Sequence, residues 1–587
     1  MIARQSVGWT RLDTTALASL LVVVLLAWCT ANAKWTAFQW SQPTAYTEPD
    51  KADVVHALAM MKAGAGGEFM PLAWKGSRDL GAPYEANWND WPLVEELQIV
   101  FFSLLAKVFG LFAGLNLATV LGNLLAAITF YGVARFSECS TVSAFVAALA
   151  FGLAPFIFAQ SPFHLTTEYI WHVPLFLPVW RWASCEPGTT PRSPRFWFAV
   201  GVGFLTGLQS PYYTNILCQL TLLGAIILFC HNRSWPAFKS SLAVIGAAAC
   251  AFALMNFDTW TYRAVHGPNT GALVREYKWL EIYGLKIVDM VIPPVTHHSH
   301  MLADFAAAHR AAAPLQDEGS YLGFVGLAAL ALLVGTAIAD VVRRRANSIP
   351  MEAWQVLWIV LFFSTGGFNA ILGSLGFTLF RTGCRYSVVI LAIALMYAAQ
   401  RLTALQRETA SHKPSGSLPL AAYAAAGALC CVILWDQVPR APTATATAAI
   451  ARQVEADREF VAAMEAALPD RAMVFQLPIM EFPEAPVPGV PPYDHFRPYL
   501  YSKNLRYSFG SMKGRPREDW QKELGKMAFK DAVAEMKNKG FAAIYINRNG
   551  FPDRGKALED SLLEMGYTKP PLRNATGELA CIMLEKD

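Results

Sequence analysis

Leu93-Val-Glu-Glu-Leu-Gln-Ile-Val-Phe-Phe-Ser-Leu-Leu-Ala-Lys-Val-Phe-Gly-Leu-Phe-Ala-Gly114 is the stretch on which the architecture turns. Its length and apolar content suit a helix that crosses a bilayer. It nevertheless opens on Glu95 and Glu96 and carries Lys107, as a helix lying at a membrane interface can. If the stretch crosses, Arg135, the Arg181–Arg195 segment, Arg233 and Lys239 fall outside. If it lies along the outer face or dips into it, those residues join Arg4, Arg11, Arg343, Arg344, Arg345, Arg401, Arg407 and Lys413 on the inner side. Lys and Arg accumulate in cytoplasmic loops, so the sequence favours an interfacial or re-entrant helix.

The rest of the chain agrees with a protein built in lipid. Of its 587 residues 54% are hydrophobic and 16% charged, against about 25% charged in soluble domains. Apolar runs predict about eleven spans, near 14–33, 115–135, 142–159, 168–183, 196–208, 213–231, 240–256, 320–341, 353–368, 387–404 and 418–435. The first run follows a short basic N-terminus, and Ala31-Asn-Ala33 resembles a cleavage site. At about 20 residues it is too long for a typical signal-peptide core and reads as an uncleaved span. The ten cysteines contain no CxxC pair and do not form a disulfide framework. The expected location is a bacterial inner membrane, multi-pass, with the N-terminus cytoplasmic.

Two parts are expected: a membrane-embedded region, 1–436, and a periplasmic α/β domain, 437–587. Within the first, 34–114 forms a periplasmic loop with interfacial helices, and 257–319 forms a second large one. The shorter outward loops are 160–167, 209–212 and 369–386. In the C-terminal part, Ala448 to Leu468 and Glu518 to Lys539 carry helical periodicity, the latter ending at Gly540. Gly555 to Met565 also reads as a helix, and Met473 to Pro478, Phe541 to Asn547 and Leu579 to Leu584 as strands. The domain contains no phosphate loop, GxSxG or HExxH motif. Nothing in the chain suggests a nucleic-acid partner.

The outward loops are rich in acids, His, Trp and Tyr, and that is where function is sought. Asp50 and Asp53 fall in the first turn of a helix that runs toward Lys62, where the dipole favours carboxylates. They are either capping acids or a reactive pair. Asp90 lies in Asn87-Trp-Asn-Asp90-Trp-Pro92. His164, Glu168 and His172 are spaced four apart and would share one face if helical. Ionisable groups at that depth are costly and often functional. They could instead form a satisfied interfacial cluster or a weak metal site. His297, His298 and His300 are a second weak metal signal. Arg381 and Arg385 sit at an outward span end, against the positive-inside trend, where paired guanidiniums suit a phosphate or merely anchor lipid headgroups.

This arrangement resembles the GT-C class of membrane glycosyltransferases. The likeness is carried by Asp53 opening a helix with Lys62 nine residues on, by Leu80-Gly81-Ala82-Pro83, and by the Asn87 to Pro92 segment. His164, Tyr321-Leu322-Gly323, and arginines ahead of a later span complete it. It is spread over 14–404. Tyr46-Thr-Glu-Pro-Asp50 departs from the Gly that relatives often place beside the Asp, and there is no Trp-Trp-Asp motif of the oligosaccharyltransferase kind.

The resemblance implies an inverting transferase. It would move a sugar from a polyprenyl-phosphate donor to an envelope glycan or lipid acceptor at the periplasmic face. In that reading Asp53, with Asp50 as alternative, is the catalytic base. Arg381 and Arg385 clamp the donor phosphate, and Asp90, His164 and Glu168 position the substrates. No cofactor is certain, and room is left for a divalent metal. The rival readings are a flippase or transporter for lipid-linked saccharide, a non-catalytic assembly factor, and a polysaccharide polymerase or ligase.

Overall fold

The computed structural model describes residues 9–47, 53–91, 93–185, 191–233, 235–272, 274–313, 318–345, 348–411, 420–485 and 487–585. Asp50 and Pro92 lie outside them. Among the described residues eight helices are long and apolar enough to cross a membrane. They are Arg11–Asn32, Leu111–Phe136, Thr141–Gln160, Pro211–Cys230, Trp235–Met255, Gly323–Val342, Gly383–Thr409 and Leu420–Gln437.

Three of the expected spans take the form of shorter helices. The 196–208 run is the helix Pro194–Gly207, and the 353–368 run is Met351–Phe363. The 168–183 run is a 3₁₀ turn, Val173–Leu175, followed by the helix Phe176–Cys185. Pro174 and Pro178 interrupt the backbone hydrogen-bond ladder there.

Thr141–Gln160 and the helix that follows Arg385 form the interior of the bundle, whereas Gly323–Val342 and Leu420–Gln437 expose most of their surface. Close approach is set by small residues. A Cβ on Gly203 or Gly207 would meet the backbone carbonyl of Val244 or Ala248 at 2.5 and 2.3 Å, so Pro194–Gly207 and Trp235–Met255 touch backbone to backbone.

The stretch 93–114 is not one helix. Glu96–Phe109 has 14 residues, about 21 Å, short of the roughly 30 Å hydrocarbon core. It stops at Gly110, whose φ of 90° turns the chain into Leu111–Phe136. Its first-turn carboxylate is held by the protein. Glu96 is buried and accepts from Lys75 Nζ at 2.7 Å, and the same ammonium lies 2.7 Å from Asp258. This buried triad ties the short helix to the first loop and to the helix Phe257–His266.

The first loop folds into the helix Asp53–Ala65 and a small antiparallel sheet of β1 (Phe69–Met70), β2 (Trp74–Ser77) and β3 (Ala86–Asn87). The C-terminal part forms a mixed sheet of β4 (Met473–Leu477), β5 (Arg506–Tyr507), β6 (Phe541–Asn547), β7 (Leu572–Arg573) and β8 (Leu579–Met583), in the order β5-β4-β6-β8-β7. The expected helix over 518–539 is instead two, Pro516–Leu524 and Phe529–Asn538, separated at Gly525.

Alternation along the strands gives this sheet two different apolar faces. Phe475, Ile544 and Ile582 pack on Val533, Met536 and Leu562 within the domain. Val474, Tyr545 and Cys581 share a core with Phe460 and Met464, with Leu58 of the first loop, Phe102 of its short helix and Phe112 of Leu111–Phe136. Arg497 reinforces that seam from complete burial. It donates from Nε and Nη2 to both oxygens of Asp457 at 2.8 Å, while Asp457 accepts from Tyr46 of the first loop at 2.8 Å.

Candidate active site

Asp53 is the first residue of Asp53–Ala65, and burial of Val54, Val55, Leu58 and Met61 fixes the helix that presents it. One turn on, His56 is stacked between Trp91 at 4.8 Å and Tyr493 at 4.7 Å. Burial pushes the His56 imidazole down to about 4, so it is neutral near pH 7. Tyr493 comes from the C-terminal domain, which therefore closes one wall of the site.

His164 approaches from a series of turns after Gln160 rather than from a helix. Pro162, two residues earlier, leaves no N–H for a helical ladder. His164, Glu168 and His172 therefore do not share a helix face. His164 Nε2 lies 3.4 Å from Asp53 Oδ2, and its Nδ1 lies 2.9 Å from Gln160 Oε1. Gln160 donates to the Glu318 backbone carbonyl at 2.6 Å, and the Glu318 carboxylate accepts from Arg385 Nε at 2.8 Å. Four segments distant in sequence thus form one continuous polar line, Asp53, His164, Gln160, Glu318 and Arg385.

The electrostatics follow from this line. Burial pushes the Asp53 carboxyl upward, but the His164 hydrogen bond and the nearby His164, His56 and Arg385 charges hold it below its ordinary value. Burial also opposes ionisation of Glu318, and Arg385 outweighs it, again lowering the carboxyl. Glu95, buried next to Ser210, goes the other way: burial dominates and raises it despite the Arg385 charge. The Arg385 guanidinium also lies 4.8 Å from the centre of the Tyr212 ring.

Arg381 precedes the 3₁₀ turn Gly383–Tyr386, so the two arginines are not one helical turn apart. Arg381 is half-buried, and its guanidinium has no hydrogen bond or ion pair among the described residues. Burial and the charges of Arg275 and Arg385 lower its pKa, Tyr212 acting in the other direction. Arg275 makes a two-point pair with Glu484 of the C-terminal domain at 2.8 and 3.0 Å. The pair of arginines expected to act together is therefore divided, with Arg385 bound to Glu318 and Arg381 available.

Two other expected positions lie apart from this line. Asp90 is buried and accepts from Arg263 Nε at 2.9 Å, Arg515 Nε at 2.8 Å and Asn269. It clasps the first loop, the segment after Phe257–His266 and the C-terminal domain together. Glu168 is fully buried beside Gly122 and Tyr169. The three loop histidines diverge: His297 lies 3.3 Å from Asp436, and His300 faces Arg440 at 3.0 Å. Among the described residues no three His, Cys, Asp or Glu side chains converge as a metal-binding group. A divalent metal beside Asp53 and His164 would need further donors from its substrate.

A cavity of about 780 Å³ adjoins the line at Ser161, Phe163 and Glu318. Its walls include Phe38, Phe158 and Ile450, with Lys34, Arg310 and Arg440 as cations.

The chain is similar over 97% of its length to the crystal structure of ArnT from Cupriavidus metallidurans in the apo state. The TM-score is 0.50 and the identity 12%, with 98% of ArnT covered. The chain has the fold of GT-C membrane glycosyltransferases. The crystal structure of the same ArnT bound to undecaprenyl phosphate matches at TM-score 0.46 and 11% identity, over 97% of this chain and 98% of that one. The archaeal oligosaccharyltransferase AglB from Archaeoglobus fulgidus, in complex with an inhibitory peptide and a dolichol-phosphate, matches at 0.42 and 10%, over 92% and 70%. No protein-family model and no curated protein sequence matches the chain.

In this GT-C fold the line from Asp53 to Arg385 joins the first loop to the segments ahead of two later helices. His56, Gln160, Tyr212, Arg275, Glu318 and Glu484 belong to it or adjoin it, yet the sequence did not single them out as site residues. Glu318 could have been sought: it stands three residues before the Tyr321-Leu322-Gly323 segment.

Proposed function

We propose that the protein is an inverting glycosyltransferase. It moves a sugar from a polyprenyl-phosphate donor to an envelope glycan or lipid acceptor at the periplasmic face of the inner membrane. The observation that carries the reading is the juxtaposition of Asp53, held ionised beside His164, with the unpaired guanidinium of Arg381 across the Glu318–Arg385 pair. ArnT, whose fold the chain shares, has also been solved bound to undecaprenyl phosphate.

The chemistry balances on these groups. An acceptor hydroxyl attacks the anomeric carbon while the Asp53 carboxylate takes its proton. The bond between that carbon and the donor phosphate oxygen breaks, and the lipid phosphate leaves with the electron pair. Arg381 meets the charge that develops on the phosphate, and a guanidinium stays protonated even when partly desolvated. Arg385 holds Glu318, and through Gln160 that pair keeps His164 turned toward Asp53. The cavity of about 780 Å³ beside Ser161 and Glu318 adjoins the polar line that ends on the Asp53 carboxylate and has room for an acceptor.

The test is release of polyprenyl phosphate from polyprenyl-phosphate sugars by the purified full-length protein in proteoliposomes with envelope extract as acceptor. Release dependent on both donor and extract supports the reading. Transbilayer movement of intact donor without release replaces it with a flippase.

A further inference from the structure

A second cavity, of about 700 Å³, opens at the other end of the bundle. The helix Ser387–Ser411 starts directly after Arg385, whereas Gln400 and Arg407, which line this cavity, stand near its far end. Twenty residues of helix separate Ser387 from Arg407, about 30 Å, so the cavity is a bilayer's hydrocarbon thickness away from the transfer site.

Its chemistry is that of an anion site. Arg135, Arg181, Arg195 and Arg407 line it, against the carboxylates of Glu138 and Glu352. Arg135 is neutralised by Asp13 at 2.7 Å, and Arg407 donates to the Glu138 carbonyl at 2.6 Å. Arg181 is exposed and has no partner among the described residues. Arg195 lies over the Trp182 ring at 5.7 Å. Beneath these cations, the side-chain amides of the buried Gln355 and the half-buried Gln400 have no hydrogen-bond partner among the described residues. A ligand that accepts from the guanidiniums and amide NH₂ groups, and donates hydroxyls to the amide oxygens, would satisfy them.

The surroundings add an apolar path. Phe136 and Trp197 are 63% and 61% exposed, and Phe136 stacks on Phe198 at 6.5 Å. Large apolar side chains beside a cationic pocket at a helix-bundle end fit acyl or prenyl chains with the headgroup in the pocket. We propose that this cavity binds the phosphate-bearing headgroup of a membrane lipid at the face opposite the transfer site. The naming of the opposite face rests on the proposed transferase reading, whereas the cavity and its lining do not.

Native mass spectrometry of the full-length protein tests it. Phosphatidylglycerol, undecaprenyl phosphate and inorganic phosphate are titrated separately in neutral detergent. The wild type is compared with an Arg181→Gln/Arg195→Gln variant, and the same pair is repeated with Arg381→Gln added to weaken donor-side binding. About a tenfold loss of lipid binding in the double variant is expected. Binding of phosphatidylglycerol alone identifies a phospholipid site, and of undecaprenyl phosphate alone a carrier-lipid site. Gln355→Leu, which keeps the volume and every charge, should weaken the same ligand and decides the matter if the arginine variant does not stay monodisperse. Equal lipid binding by wild type and variants, or binding of inorganic phosphate only, overturns the proposal.

Discussion

Arg385 donates from Nε to Glu318 at 2.8 Å, while Arg381, four residues earlier, has no carboxylate partner among the described residues. The two arginines should therefore separate in their variants. Arg381→Gln is expected to raise KM for the lipid-linked donor about 10–100-fold, the size of a lost charge-assisted contact, with little change in melting temperature. Arg385→Gln leaves the mostly buried Glu318 carboxylate unpaired and should lower melting temperature as well as turnover. Adding Glu318→Gln should restore the stability without the activity. Donor KM unchanged in Arg381→Gln would remove it from the phosphate site.

The pH profile reports on His164. Burial raises the Asp53 carboxyl and the contact with His164 lowers it, with a net downward result. His164→Gln removes the imidazole hydrogen bond to Asp53 and leaves burial less opposed. The carboxylate is then protonated at a higher pH, so the acid limb of kcat/KM should move upward. A limb that stays in place means His164 does not set the Asp53 charge.

Asp90 distinguishes a docking role from a substrate role. Its carboxylate is engaged by Arg263, Asn269 and Arg515. Asp90→Asn should lower the melting temperature and speed proteolytic release of the 437–587 region, with donor and acceptor KM unchanged. A raised KM at unchanged stability would return Asp90 to the substrate site.

Arg497 should be the costliest single charge to remove from the C-terminal domain. Arg497→Met leaves Asp457 and Asp494 buried without their guanidinium, and breaking such a pair costs about 3–5 kcal/mol. The burial that raises Asp494 then acts without that charge. Chemical denaturation in detergent measures the loss, and a change under about 1 kcal/mol would show the hub to be redundant.

How much of this the sequence carried depends on whether the signal was local. Glu95, Glu96 and Lys107 marked 93–114 as unlike a plain span, and a break at Gly110 is what the structure shows. The short apolar run Phe541–Asn547 reads directly as β6. Asp53 at a helix start is likewise local. What escaped was long-range. Glu318 and Arg385 are 67 residues apart, and Asp90 and Arg515 425. No periodicity links such partners, so Asp90 looked free and Arg385 looked paired with Arg381. Spacing of four suggested a helix for His164, Glu168 and His172, but Pro162 and the turns after it decide the backbone. At 518–539 an amphipathic pattern continued across Gly525, where the chain in fact turns between two helices.

The central claim is that Asp53 takes the acceptor proton, and Asp53→Asn measures it most directly. The substitution keeps shape while removing the charge and the basicity. Single-turnover sugar transfer from donor-saturated protein should fall by about 10²–10⁴ with donor affinity within threefold of wild type and melting temperature retained. Transfer at the wild-type rate by a folded, donor-binding Asp53→Asn protein would contradict the account.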